Sequence, residues 1–352
     1  MALDQVRGSR LLDTLALMAP GTPLREGFER ILRGRTGALV VLGNNRAVQE
    51  ISTGGFALDV AYTPTALREL AKMDGAILLS DDIARIVAAG VQLMPDAALP
   101  TVETGTRHRT ADRTSRQTGV PVVSVSASMS TIALFLDSER RLVENSEQIL
   151  SRADQALQTL ERYRSRLQEV TRRLSVLEVE DQVTIRDLAI VAQRLEMVRR
   201  LDLELSGYVV ELGTDGRLLS LQLHELSAGT DELRQQLELD YRPADPDSVF
   251  SLSGLEALST TELLDPHAVS RALGYGAGEH LDTRIAARGY RQLAQINRLP
   301  GAYSARLIDH FGSLQAVLGA SSAELQEVEG VGESRARIIR EGLTRLAESA
   351  YS

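Results

Sequence analysis

Cysteine is absent from the 352 residues, which excludes disulfides, thiolate metal sites and a thiol nucleophile. Histidine is scarce, and the five present are scattered rather than spaced as zinc ligands. Any metal is therefore expected to be a hard cation held by oxygen ligands and phosphates. No window of about 18 apolar residues occurs, and the N-terminus has no basic-then-apolar signal pattern, so no membrane partner and a cytoplasmic location are expected. Lysine is nearly missing as well: of 39 basic residues Lys72 alone is lysine, a bias that reads as GC-rich coding rather than a design for phosphate. A net charge of −9 argues against a globally basic nucleic-acid coat, so any DNA contact must be local. The motif GxGxxG is absent too, and no lysine follows Gly54-Gly55 at P-loop spacing, so that pair reads as a turn. What remains is an ordinary 43% hydrophobic content over a length suited to two or three domains, each with its own core.

Residues 1 to about 140 read as an α/β domain with a central mixed sheet. Ser9 to Met18 and Leu24 to Leu32 are amphipathic, broken by Ala19-Pro20-Gly21-Thr22-Pro23, which offers a helix start at Pro23. Gly37-Ala38-Leu39-Val40-Val41-Leu42-Gly43 is a short apolar run bounded by glycines, the pattern of a buried strand. Ala76 to Leu79, Val120 to Val125 and Thr131 to Leu136 follow the same logic. Helices are expected at Pro64 to Ala71, Asp82 to Ala89 and about Arg109 to Thr118. Beyond a helix-ending Gly90, Val91-Gln92-Leu93-Met94-Pro95 is expected to be extended, with a backbone free to read an adenine edge, although Leu93 suits a plain core position equally.

Two stretches of this domain carry chemistry. Gly105-Thr106-Arg107-His108-Arg109-Thr110 supplies guanidinium forks, hydroxyl donors and a flexible backbone, an anion site in outline that suits a triphosphate; a solvated basic turn capping a helix is the alternative. Asp74-Gly75-Ala76 precedes the apolar run Ile77-Leu78-Leu79. A carboxylate beside a polyphosphate can hold a divalent cation and orient an attacking hydroxyl, while an isolated Asp-Gly more commonly serves a strand-entry turn. In Val122-Val123-Ser124-Val125-Ser126 the alternation turns serines to one face and makes Ser126 a candidate phosphate donor at the strand end.

With some thirty residues between them, Asp74-Gly75-Ala76 and Arg107-His108-Arg109 resemble the paired signatures of the diadenylate cyclase family. The resemblance implies that Asp74 serves a Mg2+ or Mn2+ ion and the ribose 3′-hydroxyl, that Thr106, Arg107, His108, Arg109 and Thr110 hold phosphates, and that adenine lies against Leu93. Gly75, Ala76 and Ser126 complete the implied ATP-binding set, with Asp74, Arg107, His108 and Arg109 as the catalytic group. Ala127 and Met129 stand where some relatives have phosphate-contacting arginines, which puts part of that shell in doubt. If the product is cyclic di-AMP, two ATP molecules must lie antiparallel, so two copies must face each other about a two-fold axis.

Residues 141 to 287 read as an all-helical spacer. Ile149, Ala153, Ala156, Leu160, Tyr163, Leu167, Val170 and Leu174 recur at three- and four-residue steps, and Ile185 to Leu205 repeats the pattern. Leu218 to Leu226 is expected to be helix, although its alternation suits a strand. The pairs Arg172-Arg173 and Arg199-Arg200 lie among acidic neighbours and read as solvated helix faces or oligomer salt bridges. Tyr241 to Val249 and Gly274 to Gly278 read as loops.

Residues 288 to 352 read as a tandem helix-hairpin-helix domain. Val328 to Ile339 matches that pattern at Gly330, Gly332, Ala336 and the apolar pair Ile338-Ile339. Its glycines permit a tight hairpin whose amides, with the following helix N-terminus and the adjoining Ser334, Arg335 and Arg337, suit a DNA phosphate without sequence preference. In Leu299-Pro300-Gly301-Ala302-Tyr303 an earlier copy is expected to keep the first glycine, Gly301, and to carry Tyr303 at the second. The segment holds eight arginines against seven carboxylates. A protein-interaction module is the alternative reading.

Across the whole chain the resemblance, domain order included, implies a cyclase that condenses two ATP into cyclic di-AMP, a homo-octamer with heads meeting in pairs, and inhibition by branched DNA. Transfer of AMP to another acceptor, or a DNA-binding scaffold with an inactive nucleotide domain, remain open alternatives.

Overall fold

The computed structural model describes residues 2–241, 250–276 and 278–350. The chain divides into two compact units, Met1–Gln155 with Leu205–Gln222, and Ala156–Glu204 with Leu223–Ser352.

The first unit is built on a mixed eight-stranded sheet. Its elements run α1 (Ala2–Leu17), α2 (Pro23–Arg33), β1 (Ala38–Val41), α3 (Arg46–Glu50), β2 (Ser52–Thr53), β3 (Phe56–Ala61), α4 (Pro64–Leu70), β4 (Ala76–Leu79), β5 (Arg85–Leu93), α5 (Thr106–Thr118), β6 (Val122–Ser126), β7 (Thr131–Leu136) and β8 (Glu139–Val143). The strand order is β2-β5-β4-β1-β6-β7-β8, and β3 pairs with β5. Among the described residues only β1 and β4 pair in parallel, and every other strand pairing is antiparallel. Local chemistry starts the helices where the sequence says it should: Thr22 caps α2 by accepting from the Arg25 amide at 3.2 Å, with Pro23 as its first residue.

Both faces of β1 are covered, which is why it reads as an unbroken apolar run. Ala38 and Val40 pack with Phe28, Ile31, Leu67, Ile77 and Val125 on one side. Leu39 and Val41 pack with Val48, Ala111, Val122 and Phe135 on the other.

The helix expected at Asp82 to Ala89 is instead the hairpin turn and first half of strand β5. Bulges interrupt the β4–β5 pairing, so the buried positions Ile86, Ala89, Val91 and Leu93 step first by three and then by two. The three-residue step imitates a helix period. Asp82 uses its side chain on the turn, accepting from the Ala84 amide at 3.0 Å, while Ser80 and Arg85 close the hairpin. Strands β2, β3 and β8 had no clear sequence signal; β3 and β8 are largely exposed. Gly54-Gly55 does form the turn, between β2 and β3.

Helices α6 (Ser146–Val179) and α7 (Ile185–Leu212) contribute to both units. Leu160, Leu167 and Leu174 of α6 are buried at seven-residue spacing. Arg199 and Arg200 both pair with the buried Glu196 within the chain, at 2.7 and 2.8 Å. The segment after Gly216 is helix α8 (Arg217–Ser227), with Leu219 and Leu223 buried one turn apart.

In the second unit come α9 (Thr230–Asp240), α10 (Thr260–Leu263) and α11 (Pro266–Ala272). Residues 242–249 of the expected loop lie outside the described residues, and so does Ala277 in the glycine-rich connection. Tyr241 is buried and donates to Glu178 Oε1 at 2.6 Å. Glu178 also receives the Arg291 guanidinium and, at 2.6 Å, the Gln292 amide. Asp240 beside it accepts the backbone amides of Gly289, Tyr290 and Arg291.

Helices α12 (Tyr290–Leu293), α13 (Gly301–Phe311), α14 (Leu314–Gly319), α15 (Ser322–Gln326) and α16 (Glu333–Ala350) enclose one core that includes Leu293, Ile296, Leu307, Val317, Leu325, Val328, Ile339 and Leu343. Among the described residues no helix is long and apolar enough to cross a membrane.

Candidate active site

Asp74 follows the last turn of α4, just before β4. Gly75 after it adopts φ +104°, and its backbone lies so close to β5 that a Cβ would sit 2.6 Å from the Gly90 carbonyl carbon. Only glycine satisfies both the dihedral and the approach. Asp74 is thereby held at the entry to β4, exposed and with no ion pair among the described residues.

Strand register gathers the other residues at that end. Leu39 pairs with Ala76, Ala38 with Val125, Ser126 with Thr131, and Ala76 with Val91. Asp74 lies two residues before β4, Gly37 one residue before β1, and Ser126 is the last residue of β6, so the three stand at the same end of the sheet, the Asp74 backbone running beside Gly90 of β5.

The basic signature is not a loop. Thr106, Arg107, His108, Arg109 and Thr110 open helix α5, with Gly105 as N-cap and no acidic residue in the first turn. Its first helical bond runs from the Arg109 amide to the Gly105 carbonyl at 2.8 Å. The amides before it point out of the helix end, where they and the positive pole of the helix dipole join the guanidiniums as anion donors. Arg107 reaches over the sheet edge, donating to the Val125 carbonyl at 3.4 Å, and its guanidinium fills the space a side chain on Gly37 would need. Gly37 is thus a site residue that sequence reading passes over as a strand boundary.

His108 points the other way. It is 9% exposed, its ring centroid lies 6.1 Å from that of Phe135, and its Nε2 is buried without a hydrogen-bond partner. Burial holds its pKa below the usual histidine value; Arg140 and Arg107 add to the shift and Glu103 opposes it. A neutral imidazole follows.

A cleft of about 230 Å³ joins Leu93, Met94 and Pro95 at the end of β5 to Thr106, Arg109, Thr110 and Arg113 on α5. Arg113 was not expected there; it donates to the Leu99 carbonyl at 2.9 Å. Asp74, Ala76 and Ser126 do not line this cleft. Ala76 is buried in the core, leaving only its backbone to serve a ligand. Ser126 is buried at its strand end, with Oγ 3.3 Å from Ser128 Oγ. Met94, Val102 and Met129, all on segments at this end of the sheet, are exposed. Among the described residues no group of three or more His, Asp or Glu could hold a metal ion.

The hairpins of the second unit form a separate candidate. Equivalent hydrogen bonds recur at an offset of 32 residues: Leu299 to Ile296 matches Val331 to Val328, and Tyr303 to Pro300 matches Arg335 to Gly332. Arg298 (φ +64°) therefore corresponds to Gly330 (φ +80°), and Pro300 to Gly332. The first copy keeps neither glycine; Gly301 begins α13 as Glu333 begins α16. Tyr303 is the counterpart of Arg335, not of a hairpin glycine. The misreading came from Pro300-Gly301, a turn signal one step beyond the actual turn, and from an arginine in a left-handed conformation that its side chain does not advertise. Gly301, Gly332, Ser334 and Arg337 are exposed, and Arg335 is half-buried.

A family model described as DisA bacterial checkpoint controller nucleotide-binding matches residues 25–140, and one described as DisA bacterial checkpoint controller linker region matches residues 143–281. A protein of Streptomyces coelicolor named DNA integrity scanning protein DisA is 58% identical over 344 residues, covering 96% of this chain and 92% of that one. Its namesake from Acidothermus cellulolyticus is 57% identical over 354 residues, covering 99% and 96%. Among solved structures, DacA from Staphylococcus aureus is 23% identical over 38% of this chain and 87% of that one, with a TM-score of 0.29.

Proposed function

The chain belongs to the DisA family and is a diadenylate cyclase; on that premise we propose how its residues divide the work. Each chain holds one ATP. Its triphosphate lies against the N-terminus of α5, met by the free amides of the first turn, Thr106, Thr110 and the guanidiniums of Arg107 and Arg109. Adenine lies against Leu93, and Ser126 offers a further donor from the strand end. His108, neutral and packed on Phe135, acts by fixing the first turn of α5 rather than by moving a proton.

Asp74 stands at the same end of the sheet as Ser126. It would hold Mg2+ or Mn2+ together with the substrate's own phosphates, since a lone exposed carboxylate fits a cation that keeps most of its shell from water and phosphate. Such an ion supplies charge neutralisation at the phosphates. Asp74 also orients the ribose 3′-hydroxyl. That hydroxyl attacks the α-phosphorus of the ATP held by the facing chain, the 3′-O–P bond forming as the bond from the α-phosphorus to pyrophosphate breaks, and its proton passes to water. The reciprocal attack closes cyclic di-AMP and releases the second pyrophosphate.

The observation that carries this reading is the shared end of the sheet: the carboxylate just before β4, Gly37 under Arg107 just before β1, and Ser126 at the close of β6 all stand at the end that Arg107 of α5 reaches. A cleft of about 230 Å³ is below the usual range for a nucleotide-sized ligand, in keeping with a site that a second copy completes. The exposed Met94, Val102 and Met129 suit the same face-to-face contact.

The hairpin end binds duplex or branched DNA through its backbone amides, and the second hairpin is the stronger contact because Pro300 has no N–H to offer where Gly332 does. In line with the family resemblance, eight chains assemble with cyclase heads in pairs, and branched DNA inhibits synthesis. Chromatographic identification of the product from ATP and Mg2+ alone, with and without a four-way junction, tests the whole reading. Cyclic di-AMP with two pyrophosphates, reduced by the junction, is expected. AMP on another acceptor, or no turnover, would contradict it.

A further inference from the structure

Tyr303 and Arg335 occupy equivalent positions in the two hairpin repeats, and they touch. The Arg335 guanidinium carbon lies 3.9 Å from the centre of the Tyr303 ring, and that of Arg306 lies 5.5 Å from it. Both arginines are also tied to the second hairpin's backbone, Arg306 to the Glu329 carbonyl at 3.0 Å and Arg335 to the Gly330 carbonyl. The ring itself lies against the turn: a Cβ on Gly330 would meet Arg306 Nη1 at 2.9 Å and the Tyr303 ring at 3.2 Å. One aromatic ring therefore carries two cations, and the three side chains stand against the Gly330 turn. A solvated arginine has no reason to hold this geometry; the ring's negative face and the two carbonyls supply one.

We propose that Tyr303 is a positioning residue for DNA binding: from the first hairpin it holds Arg335 and Arg306 beside the Gly330 turn, so that the second hairpin meets a phosphate with its cations already in place. The proposal rests on the reading of the hairpins as a DNA contact. It also gives the first repeat a role despite its missing glycines: it serves as the platform on which the second is assembled. Arg335 then contributes through a fixed position, bonded to Gly330 and with its charge over the ring, rather than as a mobile counter-charge.

The test uses the full-length chain and a duplex of random sequence, with affinity measured across a tenfold range of salt. Tyr303→Phe keeps the ring and is expected to bind within twofold of wild type. Tyr303→Leu removes the platform and is expected to bind about tenfold more weakly, with a shallower dependence of affinity on salt. Arg335→Lys keeps the charge but not the planar stack and should weaken binding similarly, the double variant losing little more than either single one. A purely structural role for Tyr303 would lower the melting temperature without changing the salt slope. Gly332→Glu, at an open position with no neighbour within 4 Å of an added Cβ, separates the two claims. If it abolishes binding while Tyr303→Leu binds as wild type with an unchanged salt slope, the platform is overturned and the DNA reading stands. If wild type shows no salt-dependent duplex binding, both fall.

Discussion

Gly37 shows how one residue can matter without touching a ligand. A side chain there would occupy the space taken by the Arg107 guanidinium, so Gly37→Ala should displace that guanidinium while leaving β1 paired. The expected outcome is a rise of about tenfold in KM for ATP with a smaller change in kcat and an unchanged melting temperature, measured by steady-state kinetics. Its signal in the sequence was only a glycine before an apolar run, because its role is set by an arginine 70 positions later. Asp74, in contrast, stood out because its neighbours Gly75 and Ala76 carry the backbone constraint with it. Sequence reading credited Thr106 to Thr110 as a group, and it could not divide them by face. The helix does so, turning His108 into the core while Arg107 and Arg109 stay exposed.

Elements were legible where burial was two-sided or capping explicit. Strands β1, β4 and β7 stand as apolar runs, and α2 and α4 begin at Thr-Pro pairs whose threonines cap them. Strand β5 was misread because its bulges changed the burial step, while β3 went unread because it lies largely exposed and buries too little to leave a pattern. At the same scale, the junction of α6, α9 and α12 should respond to pH. Burial raises the pKa of Asp240 to about 6, with Glu178 adding to the shift and three backbone amides opposing it. Its folded-state pKa thus lies above the unfolded value near 4. The stabilising contribution of the protonated form is complete below pH 4 and lost as pH rises through 6, a span worth on the order of 3 kcal/mol. Denaturation of the full chain followed between pH 4 and 7 is expected to show this declining component, and Asp240→Asn should remove it. A pH dependence identical in the variant would contradict the assignment.

At the scale of the whole molecule, the candidate cyclase residues and the hairpins sit in separate compact units of one chain, and each was legible because it carries its own local motif. The repeat register of the hairpins was not, since it is defined by hydrogen bonds and by a left-handed Arg298 rather than by a residue type. If the units act as assigned, Gly332→Glu should abolish junction binding in a mobility-shift assay while cyclase turnover without DNA stays within twofold of wild type. The central claim, however, is that one carboxylate at the sheet edge serves the reaction rather than the binding of its substrate. Turnover of ATP by Asp74→Asn, with nucleotide binding measured alongside, tests this most directly. The expected result is ATP affinity within a few-fold of wild type and cyclic di-AMP formation reduced at least a hundredfold; synthesis at the wild-type rate would contradict it.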